Sequence, residues 1–538
     1  MSNHFADSLI RAGAAHTLVP DQAPQQVLAV RGDRIIASAP GAHDLDHLIG
    51  PKTQVLDLPD STVLPAFDDT HTHLIFAGLG AHDVPVHLAK DIPEFLQLIR
   101  QRAAITPNGE WIRTTTNWQE LNLVERRMPT AAELDTATDR HPVLVKRGGH
   151  NDVVNTYALR LAGITADTPV PPGGTIGRNA DGTLDGRLID SAMYLVERLV
   201  PTPEGAERID GLRLASQDYA ATGIGTVRDA AVFPAEFAVL RSAREAGALK
   251  VRVRAMIAAL ALTTVDQVED LLDQMEEWRG ANDPWLSVWG VKFGLDGGLE
   301  AGATEDPYAC DHSFSGAIIA DPDTLAAQIE AVVRRGWRVG THAYGDRAVR
   351  TLLDIYERIL TGNPGLPAGT LVMEHGGLAS PEQQARAVAL GVPVTIQQPL
   401  LHDTAEVEEY YWGPERVARL FPARGWIDRG AQVSAGSDFP VGQFGAMRSV
   451  WGMTTRETVI GIKGPEHAIS YDEAVALHTT NAARLTDEED VRGTLAIGRL
   501  ADLTIWDRDP ALCPPELLRD LMPTHTVVGG VVVHTAEN

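Results

Sequence analysis

Cysteine is nearly absent: two residues in 538, Cys310 and Cys513, far apart in the chain. That spacing excludes a disulfide framework and a CxxC zinc ribbon, and it suits a reducing, cytoplasmic compartment. No apolar run approaches the ~20 residues that span a bilayer. The opening stretch MSNHFADSLIRAGAAHTLVP lacks the cationic and then apolar segments of a signal peptide. Positive charge is also scarce, with 46 Lys and Arg against 72 Asp and Glu, a net charge of −26. No basic surface is left to neutralise phosphates, so neither nucleic acid nor an anionic membrane is an expected partner. The acidic surplus reads as solubility. A small-molecule substrate is the expected partner; a homo-oligomer is compatible with this composition, although nothing in the sequence fixes an interface.

What is present is an alternation of strands and helices. Strand-like runs fall near 63–67, 223–229, 251–257, 288–294, 337–342, 370–375, 392–397 and 431–436. Amphipathic helical patterns such as TVDQVEDLLDQMEEW and DRAVRTLLDIYERIL lie between them. Ser380-Pro381-Glu382-Gln383 is a helix-start signature. Eight strands alternating with helices predict an α/β fold, a (β/α)8 TIM-like barrel. Both ends of the chain carry short β runs with turns, Arg31-Gly32-Asp33-Arg34 among them, and these predict a small β-sandwich built from both termini. The expected domains are 1–62 and 481–538 for the sandwich and 63–480 for the barrel, with an insertion at about 75–220 after the first strand. Within it, 127–164 reads as helix, strand, helix, and 170–190 as an exposed hairpin or loop. Insertions on the C-terminal face of a barrel commonly become lids.

Five polar signals stand where strands run out: His71-Thr72-His73, Lys292, His342, His375 and Asp438, in LPAFDDTHTHL, SVWGVKFGLDG, WRVGTHAYGD, LVMEHGG and AQVSAGSDFP. Histidines at i and i+2 on a strand point the same way and can grip one ion. The lysine, two further histidines and the aspartate would complete a hydrolytic metal centre, at the strand ends where barrel active sites lie. Imidazole and carboxylate ligands suit zinc.

The ordered text LPAFDDTHTHL, HPVLVKRGGHNDVVNTYAL, TVRDA, VKFGLDGG, THAYGDRAV, EHGGL, GSDFPV, NAARL and GRLADLTIWDRDP resembles the amidohydrolase superfamily. Within it the chain is similar to the branch of N-substituted formamide deformylases and YtcJ-like proteins. The resemblance implies that His71, His73 and Asp438 hold a first metal ion and His342 and His375 a second. It further implies that Lys292 bridges them as an anionic carbamate, since an ammonium cannot ligate a cation. Metal-activated hydroxide would attack a carbonyl carbon, and Asp438 would shuttle the proton to the leaving amine. In a mononuclear variant, Lys292 stays an amine and His375 turns to acid–base or oxyanion work.

His150, Trp118, Tyr344 and His402 are candidates for substrate contact, the last following the seventh strand. Asp229 reads either as an orienting group or as a helix cap. Tyr344, Phe439 and VGQFGAM depart from the family text and suggest a mouth narrowed by aromatic rings. The expected activity is hydrolysis of a non-peptide C–N bond in an amide, N-substituted formamide or carbamate. A lactonase or decarboxylase on the same scaffold, or a non-catalytic binding or regulatory protein, is the alternative.

Overall fold

Eight parallel strands, β1 to β8, pair in chain order in the computed structural model: Phe67–Thr72, Ile224–Val232, Arg252–Ala258, Leu286–Gly294, Arg338–Ala343, Leu371–His375, Val394–Ile396 and Val433–Ala435. The structure describes residues 5–148, 151–171, 174–190, 192–260, 262–280 and 283–536. β8 meets β1 through a seam rather than a regular ladder. Thr70 Oγ1 donates to Ala435 O (2.9 Å), and the Asp438 amide donates to His71 O (2.8 Å). Gly436 permits this approach, because a Cβ there would lie 2.5 Å from His71 N. The strands are buried along both faces, as expected where helices cover a parallel sheet.

Seven of the eight strand positions agree with the sequence pattern. The first needs correction: residues 63–65 end the strand Gln54–Pro65, which pairs with Leu503–Trp506, and barrel strand β1 begins at Phe67. The two strands are one extended run broken at Ala66, whose amide donates to Asp502 O (3.0 Å). Pro65 is the only punctuation at that handover, inside an otherwise apolar stretch.

Both termini supply a seven-stranded sheet. In spatial order its strands are Val531–Thr535, His525–Val528, Leu503–Trp506, Gln54–Pro65, Ser8–Ala15, Gln25–Arg31 and Arg34–Ala39. The expected hairpin turns at Gly32, with φ +59°. Arg252 of β3 grips Asp502 with Nε and Nη2 (2.7 and 2.8 Å), tying this sheet to the barrel. Among helices, Pro381–Ala389 starts on Ser380, which accepts from the Gln383 amide (3.3 Å). No helix among the described residues is long and apolar enough to cross a membrane.

The chain divides into two compact units. One is Met1–Ile75, Leu212–Asp438 and Phe444–Asn538, which holds the barrel and terminal sheet. The other is Phe76–Gly211 with Phe439–Gln443. This second unit has a five-stranded sheet in the order Ile112–Arg113, Val143–Arg147, Asn151–Val154, Leu184–Asp190, Gly174–Arg178. Where helix, strand, helix was expected, the structure has a further strand, Asn151–Val154, before the second helix.

Candidate metal centre

Alternation along β1 puts Asp69 and His71 on one side, and His73 follows directly after the strand ends at Thr72. His73 Nε2 lies 2.9 Å from Asp438 Oδ1 and His71 Nε2 lies 3.4 Å from the same oxygen. One ligand atom from each of His71, His73 and Asp438 falls within 4.8 Å of the others, the spacing of a shared ion. Asp69 anchors the seam from below. It accepts from the Ser437 amide (3.0 Å) and hydroxyl (2.5 Å), and burial pushes its carboxyl up to about 7.

Beside this group stand the other two histidines. Ring centroids are 4.6 Å apart for His71 and His375 and 4.4 Å for His342 and His375. His375 has φ +73° and Asp438 φ +58°. Left-handed backbone at a non-glycine residue costs of order 1–3 kcal/mol and gathers at functional sites. Here it has a visible purpose: neighbours on a strand should face opposite ways, yet Glu374 and His375 both meet His71.

Burial sets the charge states. It lowers His342 to about 3, helped by Lys292, and carries His375 well below its ordinary value, so both are neutral donors. It also lowers Lys292 on β4 to about 8, against the pull of Glu374 and Asp438. Asp438 would rise through burial, but the flanking His71 and His73 rings outweigh that and hold it well below the carboxylate range. The donor set fits a divalent cation: neutral imidazoles, an ionised carboxylate, and His375 Nδ1 buried with no hydrogen-bond partner among the described residues.

Four members escaped sequence reasoning. They are Asp69, Glu374, Arg228 and Asp296. Glu374 is fully buried and 2.6 Å from His71 Nδ1. Arg228 Nη2 donates to both its oxygens (2.7 and 2.8 Å), and burial is outweighed so that the carboxyl stays far below its usual range. Asp296 accepts from the amides of Ala303, Tyr344 and Gly345 (2.9 to 3.0 Å) and lies 3.4 Å from His342 Nε2. It follows Lys292 by four residues, the only hint the sequence offers.

The structure gives three of the substrate-contact candidates the following surroundings. Trp118 is 6% exposed in the core of the second unit, against Phe95, with Nε1 donating to Lys146 O (2.7 Å). His402 packs on Trp451 and gives Nδ1–H to Glu457 O (3.0 Å). Tyr344 does stand beside His375 (5.7 Å between rings), but its hydroxyl donates to buried Glu408 (2.7 Å). His150 lies outside the described residues. Asp229 accepts from the Ile75 amide (3.0 Å) at the start of the helix after β1, the capping role.

A strand-end metal site in a closed parallel barrel defines a class, and comparison with known proteins gives the family. The chain belongs to the amidohydrolase family, whose model matches residues 54–534, and it is a metal-dependent amidohydrolase. It is 28% identical to N-substituted formamide deformylase of Arthrobacter pascens over 520 residues, 94% of each chain. It is 26% identical to the YtcJ protein of Bacillus subtilis (strain 168), covering 90% of this chain and 91% of that one. Among solved structures, an uncharacterized metal-dependent hydrolase from Pyrococcus furiosus shares the fold, with a TM-score of 0.73 at 23% identity over 94% of this chain and 99% of that one.

Proposed function

We propose that the protein hydrolyses a non-peptide C–N bond in a small molecule, with an N-substituted formamide, amide or carbamate as substrate class. The observation that carries this reading is the convergence of His71 and His73 on one oxygen of Asp438. The 28% identity to a formamide deformylase over nearly the full length supports the substrate class. Two unpaired cysteines suit a cytoplasmic enzyme.

His71, His73 and Asp438 would hold one cation, most simply zinc, and His342 and His375 a second. Such a cation supplies a water of pKa near ~7 and a Lewis acid for the carbonyl oxygen. Asp438 moves the proton. Both histidines sit on Oδ1, which leaves Oδ2 to accept a proton and pass it to the leaving amine. Lys292 as a carbamate would offer an oxygen to each cation. Its burial favours the uncharged amine that reacts with carbon dioxide.

A panel of N-formyl, N-acyl, carbamate and lactone compounds tests the reaction. Amine and formate release from N-substituted formamides is the expected result; turnover of lactones alone would overturn it. Lys292→Ala is expected to lose one equivalent of metal and most of the activity, with partial rescue by a short carboxylic acid. Wild-type metal content and rate in that variant would remove Lys292 from the centre.

A further inference from the structure

Beneath the candidate ligands lies a second set of polar groups, fully enclosed by the barrel. Glu374 takes four contacts from three donor atoms. Arg228 Nη2 covers both oxygens, Thr395 Oγ1 donates to Oε2 (2.8 Å), and His71 Nδ1 stands 2.6 Å from Oε2. The direction of each bond can be read. Gln397 Nε2 donates to Thr395 Oγ1 (3.0 Å), so the Thr395 hydroxyl hydrogen points at Glu374. A carboxylate taking two bonds from a guanidinium and one from a hydroxyl has only lone pairs to offer. The hydrogen between His71 and Glu374 therefore sits on Nδ1.

Arg228 is itself held in place. Its Nε donates to Thr70 O (2.7 Å) and its guanidinium lies 4.4 Å from the centre of the Trp289 ring. Gly340 leaves the room that Glu374 occupies, since a Cβ there would come within 2.4 Å of Oε1. The clamp thus draws on β2, β6 and β7 to set one side chain of β1.

We propose that Glu374, clamped by Arg228 and Thr395, is a positioning residue that fixes His71 as its Nδ1–H tautomer and so presents the Nε2 lone pair to a cation shared with His73 and Asp438. This rests on the metal-centre reading of the site. Carboxylate partners of ligating histidines raise ligand basicity and fix ring orientation, and their loss typically costs about 10- to 100-fold in metal affinity. A merely structural role for the clamp would stabilise the barrel and leave affinity alone.

The test uses the full chain stripped of metal, titrated with Co²⁺ or Zn²⁺ alone against a competing chelator. The visible spectrum of the Co²⁺ form reports the ligand geometry. Glu374→Gln is expected to bind about 10- to 100-fold more weakly, with a shifted spectrum. Thr395→Val, which removes a single donor, should show a smaller loss in the same direction and decides the matter if Glu374→Gln does not fold. Glu488→Gln is the control, because Glu488 is also a carboxylate gripped by arginine, in its case two, Arg254 and Arg492. It is expected to lower Tm without altering affinity or spectrum. Wild-type affinity and spectrum in both Glu374→Gln and Thr395→Val, or an equal weakening in Glu488→Gln, would overturn the proposal. A wild-type chain that binds neither ion would instead sink the metal-centre reading itself.

Discussion

Replacing Asp438 by asparagine is expected to lower kcat by about 10²- to 10⁴-fold, the usual worth of a positioned acid–base group, while much of the bound metal stays. Asparagine keeps the size and one oxygen ligand, and it tolerates left-handed backbone better than most residues, which matters at φ +58°. Alanine would confuse the result by adding backbone strain. The pH profile gives a second readout. Burial raises the Asp438 carboxyl, but His71 and His73 more than offset it, so the folded group sits well below its ordinary value. A depressed carboxylate keeps its charge until pH falls through that low folded value. The acid limb owed to Asp438 therefore lies below the ordinary carboxylate range, and it should vanish in Asp438→Asn. Wild-type turnover with an unchanged pH–rate profile would show that the proton is handled elsewhere, with His375 the next candidate.

Withdrawing metal should have an effect as large. Chelation is expected to abolish hydrolysis and lower Tm by several degrees, and zinc should restore both. A ligand present at a thousand times its Kd stabilises the folded state by about 4 kcal/mol, so the shift is measurable even in a chain of 538 residues. His342 is lowered by burial to about 3 and is already in the neutral, ligating form at neutral pH. Reloading should then release no proton from that ring. The decisive comparison is elemental content against rate across partial reconstitution. Full activity without stoichiometric metal would refute the assignment.

How far the sequence could be read differs between the barrel and its interior. Strand runs such as SVWGVKFGLDG and LVMEHGG stood out because a parallel strand covered by helices is apolar on both faces. Their polar ends then marked His71, His73, Lys292, His342, His375 and Asp438. Glu374 did not stand out. Alternation predicts that a residue next to His375 faces away from it, and only the left-handed backbone at His375 breaks that rule. Its partner Arg228 is 146 positions away, on β2. Nothing local in TVRDA says that its arginine belongs under a histidine of β1. Trp118 and His402 show the opposite limit. Their residue types suit a pocket, but type alone cannot separate a ring that meets ligand from one that meets Phe95 or Trp451.

The seam between β8 and β1 also decides when the centre can exist during synthesis. His73 leaves the ribosome 365 positions ahead of Asp438, the carboxylate it must meet. Seven strands can be laid down and paired side by side while the ring is still open. Long-range closure of this kind is the slow, late part of folding. The bond from the Asp438 amide to His71 O is then both the last stitch of the barrel and the step that brings the third ligand atom into place. Until that stitch is made, a nascent or truncated chain has its histidines but not the Asp438 carboxylate that His71 and His73 converge on, and it can neither retain a cation firmly nor catalyse prematurely.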